Sequence, residues 1–134
     1  MSNAATNNAG ADVLEAVFEA FNRHDADGVM AHFGDDIVFE TIAGDEAHGT
    51  RIEGYDAVHA AFSAVWQQFP DVQWRNARHF VSDNRGVSEW TFTATRDDGA
   101  VIEAEGCDLF RFRDGRIVEK KAFRKNRPAI EPRR

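Results

Sequence analysis

The chain has 134 residues, 43% of them hydrophobic and 29% charged, which is typical of a single soluble globular domain. Its 23 acidic and 16 basic residues give a net charge of −7, which argues against nucleic-acid binding because that depends on basic patches. The only cysteine, Cys107, excludes an internal disulfide, and no stretch is apolar enough to span a membrane. We therefore expect a cytoplasmic protein that binds neither nucleic acid nor membranes.

The first half of the chain is predicted to be mainly helical. Residues 1–11 are small and polar, and we expect a disordered leader there. A helix then begins at Val13, and a shorter one follows it. The strongest helical pattern runs over residues 55–69, where aromatic and aliphatic residues recur at helical spacing. Four residues define the apolar face of the first helix: Leu14, Val17, Phe18 and Phe21.

The remaining segments are predicted to be β-strands. Residues 37–42 are β-branched and aromatic, which favours a strand, and residues 43–53 form a polar loop. Turn sequences separate the later strands, and residues 127–134 have the composition of a loose tail. The predicted later strands are 72–81, 87–96, 101–113 and 116–125.

This order of elements predicts an α+β fold over residues 12–126. Long strands joined by tight turns form a twisted antiparallel sheet, and the three N-terminal helices must cover one of its faces. The result is a cone-shaped half-barrel. The hollow between helices and sheet is a common place for a small-molecule site.

Several stretches of the sequence are similar to one known superfamily. They are FNRHD at 21–25, FGDDIVFE at 33–40, the helix from Tyr55 and CDLFRFRDGRI at 107–117. The chain resembles the nuclear-transport-factor-2-like superfamily, in particular its SnoaL-like and ketosteroid-isomerase-like members, over about residues 13–125. The resemblance implies the cone fold, but the superfamily contains both enzymes and proteins that only bind.

The resemblance also implies roles for particular positions. Asp108 falls on the acid of ketosteroid isomerases, which donates a hydrogen bond to a developing oxyanion. The second donor of those enzymes, a tyrosine, falls on Val17, and their proton-shuttling carboxylate falls on Thr41. The carboxylate of SnoaL-type cyclases falls on Ala122. Asp108 is therefore the candidate catalytic residue, in a reaction without a metal or organic cofactor.

The state of Asp108 depends on its neighbour across the last hairpin. A two-residue turn at Asp114 and Gly115 would place Lys121 opposite Asp108, whereas a three-residue turn would place Lys120 there. We favour the second turn because the resemblance implies that length. A lone acid in an apolar cone is a neutral donor, whereas an acid beside lysine remains a carboxylate. Asp108 is then half of an ion pair, a catalytic group or a ligand-orienting group.

We expect the cone to bind a hydrophobic small molecule. The protein would be an isomerase or cyclase-type enzyme acting on an enolisable or aromatic substrate. The alternative is a non-catalytic ligand-binding or dimeric assembly domain, and the resemblance implies a homodimer through the sheet face. Besides Asp108, the expected pocket residues are Phe39, Thr41, Phe62, Trp66, Trp90, Phe110, Lys120 and Arg124.

Overall fold

The structure, a computed structural model, describes residues 3–132 and contains one six-stranded sheet with three helices. The strand order is β2-β1-β6-β5-β4-β3. This arrangement confirms the predicted α+β class. The elements are α1 (Asn3–Asn22), α2 (Ala26–Met30), β1 (Phe33–Glu40), β2 (Arg51–Glu53), α3 (Tyr55–Gln68), β3 (Gln73–Ser82), β4 (Arg85–Thr95), β5 (Val101–Arg113) and β6 (Arg116–Arg124).

Both ends of the described chain are more ordered than the sequence indicated. Helix α1 begins at Asn3 instead of Val13, so residues 3–11 of the predicted leader are helical. Several alanines favour helix there. At the other end, Ile130 and Val101 exchange two backbone hydrogen bonds of 2.7 and 2.8 Å, so this tail segment is attached to the sheet. Residues 1–2 and 133–134 lie outside the described residues.

The first strand differs from the prediction in its limits and in its pairing. Strand β1 covers Phe33–Glu40 rather than residues 37–42, and it runs parallel to β6. The sheet is therefore mixed rather than wholly antiparallel. Residues 51–53, predicted as loop, form the short edge strand β2 beside the end of β1. So short a strand is hard to recognise from its sequence.

The core lies between the helices and one face of the sheet, which we call the inner face. The four apolar residues of α1 are at most 2% exposed, as predicted. From α3, Val58 and Phe62 pack into the same cluster, and the strands contribute large side chains such as Trp90 and Phe110. This packing positions the inward-facing side chains of β4, β5 and β6.

The segment at the end of α1 attaches the helix to β3. The Asn22 side chain extends the sheet, because its Nδ2 donates to Trp74 O at 3.1 Å and its Oδ1 accepts from Trp74 N at 2.8 Å. His24 Nε2 donates to Val72 O at 2.8 Å, and the His24 ring stacks on Trp66. These polar groups therefore have structural roles, and they hold the end of α1 over the sheet.

Candidate functional site

The β5–β6 hairpin determines what faces Asp108. Only Asp114 and Gly115 form the turn, with φ values of 53° and 79°, both positive as in a type I′ turn. The favoured three-residue turn is therefore wrong. A bulge at Val118 then shifts the register by one residue and places Ala122 directly opposite Asp108. Neither of the two lysines considered for that position lies there.

Lys120 reaches Asp108 diagonally from its own position opposite Phe110. Its Nζ donates to Asp108 Oδ1 at 3.0 Å, while Trp90 Nε1 donates to Asp108 Oδ2 at 2.9 Å. Asp108 is 0% exposed and Lys120 is 6% exposed. Both oxygens of Asp108 accept from donors, the pattern of a carboxylate paired with lysine. Of the alternatives for Asp108, the geometry supports a buried ion pair.

Three phenylalanine rings surround the Lys120 ammonium group. Its Nζ lies 4.5 Å from the ring centroid of Phe39, 5.4 Å from that of Phe21 and 5.5 Å from that of Phe62. A cation at such distances is attracted to the ring faces. The sequence predicted Phe39 and Phe62 as site residues and Phe21 only as core. The group that we call the Asp108 cluster consists of Asp108, Lys120, Trp90, Phe21, Phe39 and Phe62.

A polar row leads from this cluster towards the surface. Ser88 lies directly opposite Asp108 on β4 and is 0% exposed. Its hydroxyl is hydrogen-bonded to His79 Nδ1 of β3 at 2.8 Å. Burial lowers the pKa of His79, and the Glu15 carboxylate partly opposes this shift. Neither residue was predicted as a site residue, although Ser88 shares the alternation of the apolar inner-face residues of β4.

Gly106 makes room for the tryptophan of the cluster. A Cβ at this position would lie 2.6 Å from two ring carbons of Trp90 and 2.3 Å from the Phe123 carbonyl oxygen. The indole therefore lies across the β5 backbone, from where its N–H reaches Asp108. A single glycine inside a strand is a signal of such close approach. Gly106 was not among the residues predicted from the sequence.

The other predicted site residues have different surroundings. Trp66 is half-buried and donates its indole N–H to a backbone carbonyl of α1 at 3.1 Å, and Phe110 is 2% exposed in the core. The Thr41 hydroxyl donates to the backbone carbonyl two residues later at 2.8 Å, so it serves the loop after β1. The Arg124 guanidinium lies over the Phe92 ring, 4.5 Å from its centroid.

A groove with a volume of about 1110 Å³ lies on the opposite, outer face of the sheet. Thr41, Trp90 and Arg124 border it, although the side chains of the last two are on the inner face. Asp108 and the remaining predicted pocket residues do not line it. The outward-facing lining residues of the central strands are Glu89, Thr91, Glu105, Cys107, Lys121 and Phe123.

Glu40 belongs to this outer groove. It is 7% exposed, and its Oε2 accepts from Arg51 Nε at 3.0 Å and from Arg51 Nη2 at 2.9 Å. It pairs with Lys121 in the β1–β6 register, whereas the neighbouring Phe39 pairs with Lys120. Glu40 therefore points away from the Asp108 cluster, because adjacent strand residues face opposite sides of a sheet.

Within residues 3–132, no group of three or more histidine, cysteine, aspartate or glutamate side chains is placed to hold a metal ion. Over the same residues, no helix is long and apolar enough to cross a membrane.

A curved sheet with three helices over its inner face defines the class of nuclear-transport-factor-2-like folds, and solved structures agree. A provisionally assigned polyketide cyclase from Xanthomonas campestris pv. campestris shares 21% identity with a TM-score of 0.80, over 93% of each chain. Bal32a, from a soil-derived mobile gene cassette, shares 19% identity and has a TM-score of 0.79, over 90% of this chain and 92% of its own. An NTF2-like protein of unknown function from Mesorhizobium loti shares 26% identity with a TM-score of 0.73, over 90% and 93%.

The family follows from the sequence itself. The family model of the SnoaL-like domain matches residues 14–120, which is most of the chain. The chain therefore belongs to the SnoaL-like domain family. No curated protein matches the chain. At these identities, the first two structural neighbours establish the fold alone.

Proposed function

We propose that this protein binds a hydrophobic small molecule in its cone and acts on it as a cofactor-independent isomerase or cyclase-type enzyme. The observation that carries the proposal is the buried pair of Asp108 and Lys120. Desolvating two charges is costly, and apolar residues in their place are often equally or more stabilising. A catalytic role would explain why the core retains them. The provisional cyclase assignment of a structural neighbour is compatible with this class of reaction.

The pair offers the two groups that proton transfer next to a carbonyl requires. Asp108 would act as the base that removes a proton from an enolisable carbon, and Lys120 would stabilise the negative charge that develops on the oxygen. These roles differ from those in ketosteroid isomerases, because Val17 and Thr41 occupy the positions of their other groups. Of the three rings around Lys120, only Phe39 is half-buried, so a ligand would approach the pair past this side chain.

Calorimetry with a small ligand panel tests the proposal. The panel contains a planar phenol, a steroid enone, an aromatic carboxylate and a neutral terpenoid epoxide. We expect one class to bind, and Asp108→Asn to weaken it by about 1.5 kcal/mol or more, the scale of a hydrogen bond to a charged group. The matched control is Glu40→Gln, which alters a buried carboxylate of the outer face and should leave binding unchanged.

Two results would contradict the proposal. In the first, no panel member binds the wild type. In the second, the ligand binds Asp108→Asn as tightly as it binds Glu40→Gln. If Asp108→Asn does not fold, Phe39→Leu replaces it. That variant changes the proposed entry to the pair and keeps both charges, so an unchanged affinity would count against the site.

The second candidate function is a dimeric assembly domain, which the outer face of the sheet favours. Three large apolar side chains are exposed there: Phe80 is 51% exposed, Leu109 40% and Phe123 51%. Such residues are usually covered when they lie close together on a surface. A homodimer through this face is compatible with either function, and it becomes the main function if no small molecule binds.

A further inference from the structure

A second cation, Arg124, lies on the inner face near the end of β6. It pairs with Gly106 in the β5–β6 register, and its guanidinium lies over Phe92 of β4, at 4.5 Å from the ring centroid. The side chain is half-buried, and this burial lowers the pKa of Arg124. It therefore has less solvation than an arginine on an open surface.

Arg124 lacks the carboxylate partner that two other cations of the sheet have. Lys120 is paired with Asp108, and Arg51 is paired with Glu40. Within residues 3–132, the Arg124 guanidinium forms neither an ion pair nor a hydrogen bond. A guanidinium presents several N–H donors in one plane, and these donors match the two oxygens of a carboxylate. A ligand anion would satisfy them.

The aromatic residues near Arg124 connect it with the Asp108 cluster. Phe92 packs edge-on against Phe69, at 6.4 Å between centroids, and against Trp74, at 5.7 Å. Trp74 in turn packs on Phe21 at 5.1 Å, and Phe21 is one of the rings around Lys120. A continuous row of contacting rings thus runs from the unpaired guanidinium to the buried ion pair, and Phe69 and Trp74 are its half-buried members.

We propose that Arg124 binds the carboxylate of a planar aromatic acid, whose ring packs on the half-buried Phe69 and Trp74. This inference rests on the proposed function and narrows the substrate class to aromatic carboxylates. Arg124 would hold the carboxylate, while the far end of the ring system points towards Asp108 and Lys120. The aromatic rings would select a planar ligand, and the guanidinium would select the acid over its neutral analogues.

The test compares 2-naphthoate with 2-naphthamide, which has almost the same shape but no charge. Both are titrated into the wild type and into Arg124→Gln by calorimetry. We expect naphthoate to bind the wild type at least tenfold more tightly than naphthamide, and Arg124→Gln to remove this preference while naphthamide affinity stays the same. Arg124→Lys keeps the charge but not the planar fork, and it should retain only part of the preference.

A matched control is available on the other face. The Arg78 guanidinium also lies over a ring, 5.8 Å from the Phe80 centroid, and within residues 3–132 it too has no ion pair or hydrogen bond. Because Arg78 pairs with the outward-facing Glu89 in the β3–β4 register, its side chain lies on the outer face, and Arg78→Gln should leave naphthoate binding unchanged. An equal loss in Arg78→Gln and Arg124→Gln would show a general charge effect and overturn the proposal.

The remaining outcomes separate this inference from the proposed function. Equal binding of the two naphthalene ligands to the wild type overturns the role of Arg124. So does a wild type that binds only a neutral member of the larger panel. The proposed function survives either result if Asp108→Asn still weakens the ligand that binds. If no ligand binds the wild type, both proposals are wrong.

Discussion

Two charges of opposite sign lie in the core of this protein, and each compensates the other. Asp108→Asn leaves the buried Lys120 ammonium without its carboxylate, and Lys120→Met leaves Asp108 with only the Trp90 N–H. Each single change should lower the free energy of unfolding by about 3–5 kcal/mol, the usual cost of breaking a buried pair. Urea denaturation, followed by tryptophan fluorescence, measures both losses.

The double variant Asp108→Leu/Lys120→Met separates stability from function. Because no charge is then left unpaired, we expect its stability to return to that of the wild type or to exceed it by about 1–4 kcal/mol. Losses that simply add up would contradict this expectation, since residues in direct contact should couple. A stable double variant that no longer binds the ligand would show that the pair serves function rather than folding.

Gly106 is predicted to be essential for the position of Trp90. In Gly106→Ala, the new methyl group would overlap the indole and a backbone oxygen, so we expect a loss of about 1–3 kcal/mol in urea denaturation. The indole N–H resonance of Trp90 should also shift as its bond to Asp108 breaks. Gly86→Ala on the adjacent strand is the control, because its methyl group would meet side chains alone and at longer distances: Leu14 at 3.1 Å, Phe112 at 3.2 Å and Val81 at 3.5 Å. Equal losses in the two variants would be unexpected.

At the scale of elements, one side chain joins α1 to β3. Asn22→Ala removes two hydrogen bonds to the Trp74 backbone and should lower the free energy of unfolding by about 2 kcal/mol. Asn22→Asp keeps the acceptor for Trp74 N but loses the donor, so an intermediate loss is expected. The midpoints of thermal unfolding of the wild type, Asn22→Asp and Asn22→Ala should decrease in this order. If Asn22→Ala is as stable as the wild type, the side chain does not serve as a strand extension.

A second contact between α1 and β3 makes stability depend on pH. His79 packs against Phe18 at 5.4 Å, and burial holds its pKa below the ordinary 6.5. The unfolded chain therefore binds this proton more readily than the folded chain. Stability is complete above about pH 6.5 and falls as the pH drops from there towards the folded pKa. Burial and the nearby Arg116 lower the pKa of His32, which acts in the same direction.

Urea denaturation at about pH 7.5 and pH 5.5 measures this effect across the pKa of an unfolded histidine. We expect the wild type to lose stability between the two values, and His79→Gln to lose less because glutamine does not titrate. Glutamine can still accept a hydrogen bond from Ser88, which preserves the packing of β3 on β4. The same slope in both proteins would assign the whole effect to other groups.

The spacing of apolar residues predicted most of the helices and strands, but it did not show where a bulge interrupts that spacing. Simple alternation along residues 72–81 would place Trp74, Asn76 and Phe80 on one face. In the structure, Asn76 has a φ of 57°, and the register of β3 with β4 shifts between Arg75 and Arg78. The shift reverses the alternation, so Phe80 points outward and is 51% exposed. Asparagine tolerates this conformation, but it occurs in many other places, so its identity alone does not locate a bulge.

The candidate site was predictable to a similar degree. The position of Asp108 on the inner face followed from the alternation of β5, and a lysine was foreseen as its neighbour. The contact with Lys120 depends on a bulge at Val118, which leaves no pattern in the sequence. Likewise, the hydrogen bond from Trp90 to Asp108 joins β4 to β5, and the three rings around Lys120 come from α1, β1 and α3. Such contacts follow from tertiary packing and not from any local signal.

At the scale of the whole molecule, the two faces of the sheet have different roles. The inner face holds the charges that the core must neutralise, and the outer face leaves large apolar side chains in contact with solvent. Cross-strand neighbours place Phe123 beside Cys107, and place Leu109 beside Val87 and Lys121. Of these neighbours, Cys107 and Val87 are apolar and Lys121 is charged. A second copy of the chain would cover the exposed apolar side chains and leave the charged side chains at the rim of the interface.

We therefore expect light scattering at micromolar concentration to give twice the mass of one chain. Phe123→Asp should convert this dimer to a monomer, because it buries an unpaired charge in the interface that we propose. Ile130→Asp is the control, since Ile130 is also exposed, at 44%, but lies outside the outer groove. A monomeric wild type would contradict the dimer, and a dimer that survives Phe123→Asp would place the interface elsewhere. A stable interface buries at least about 1,000 Å² in total, so one charged side chain at its centre should be decisive.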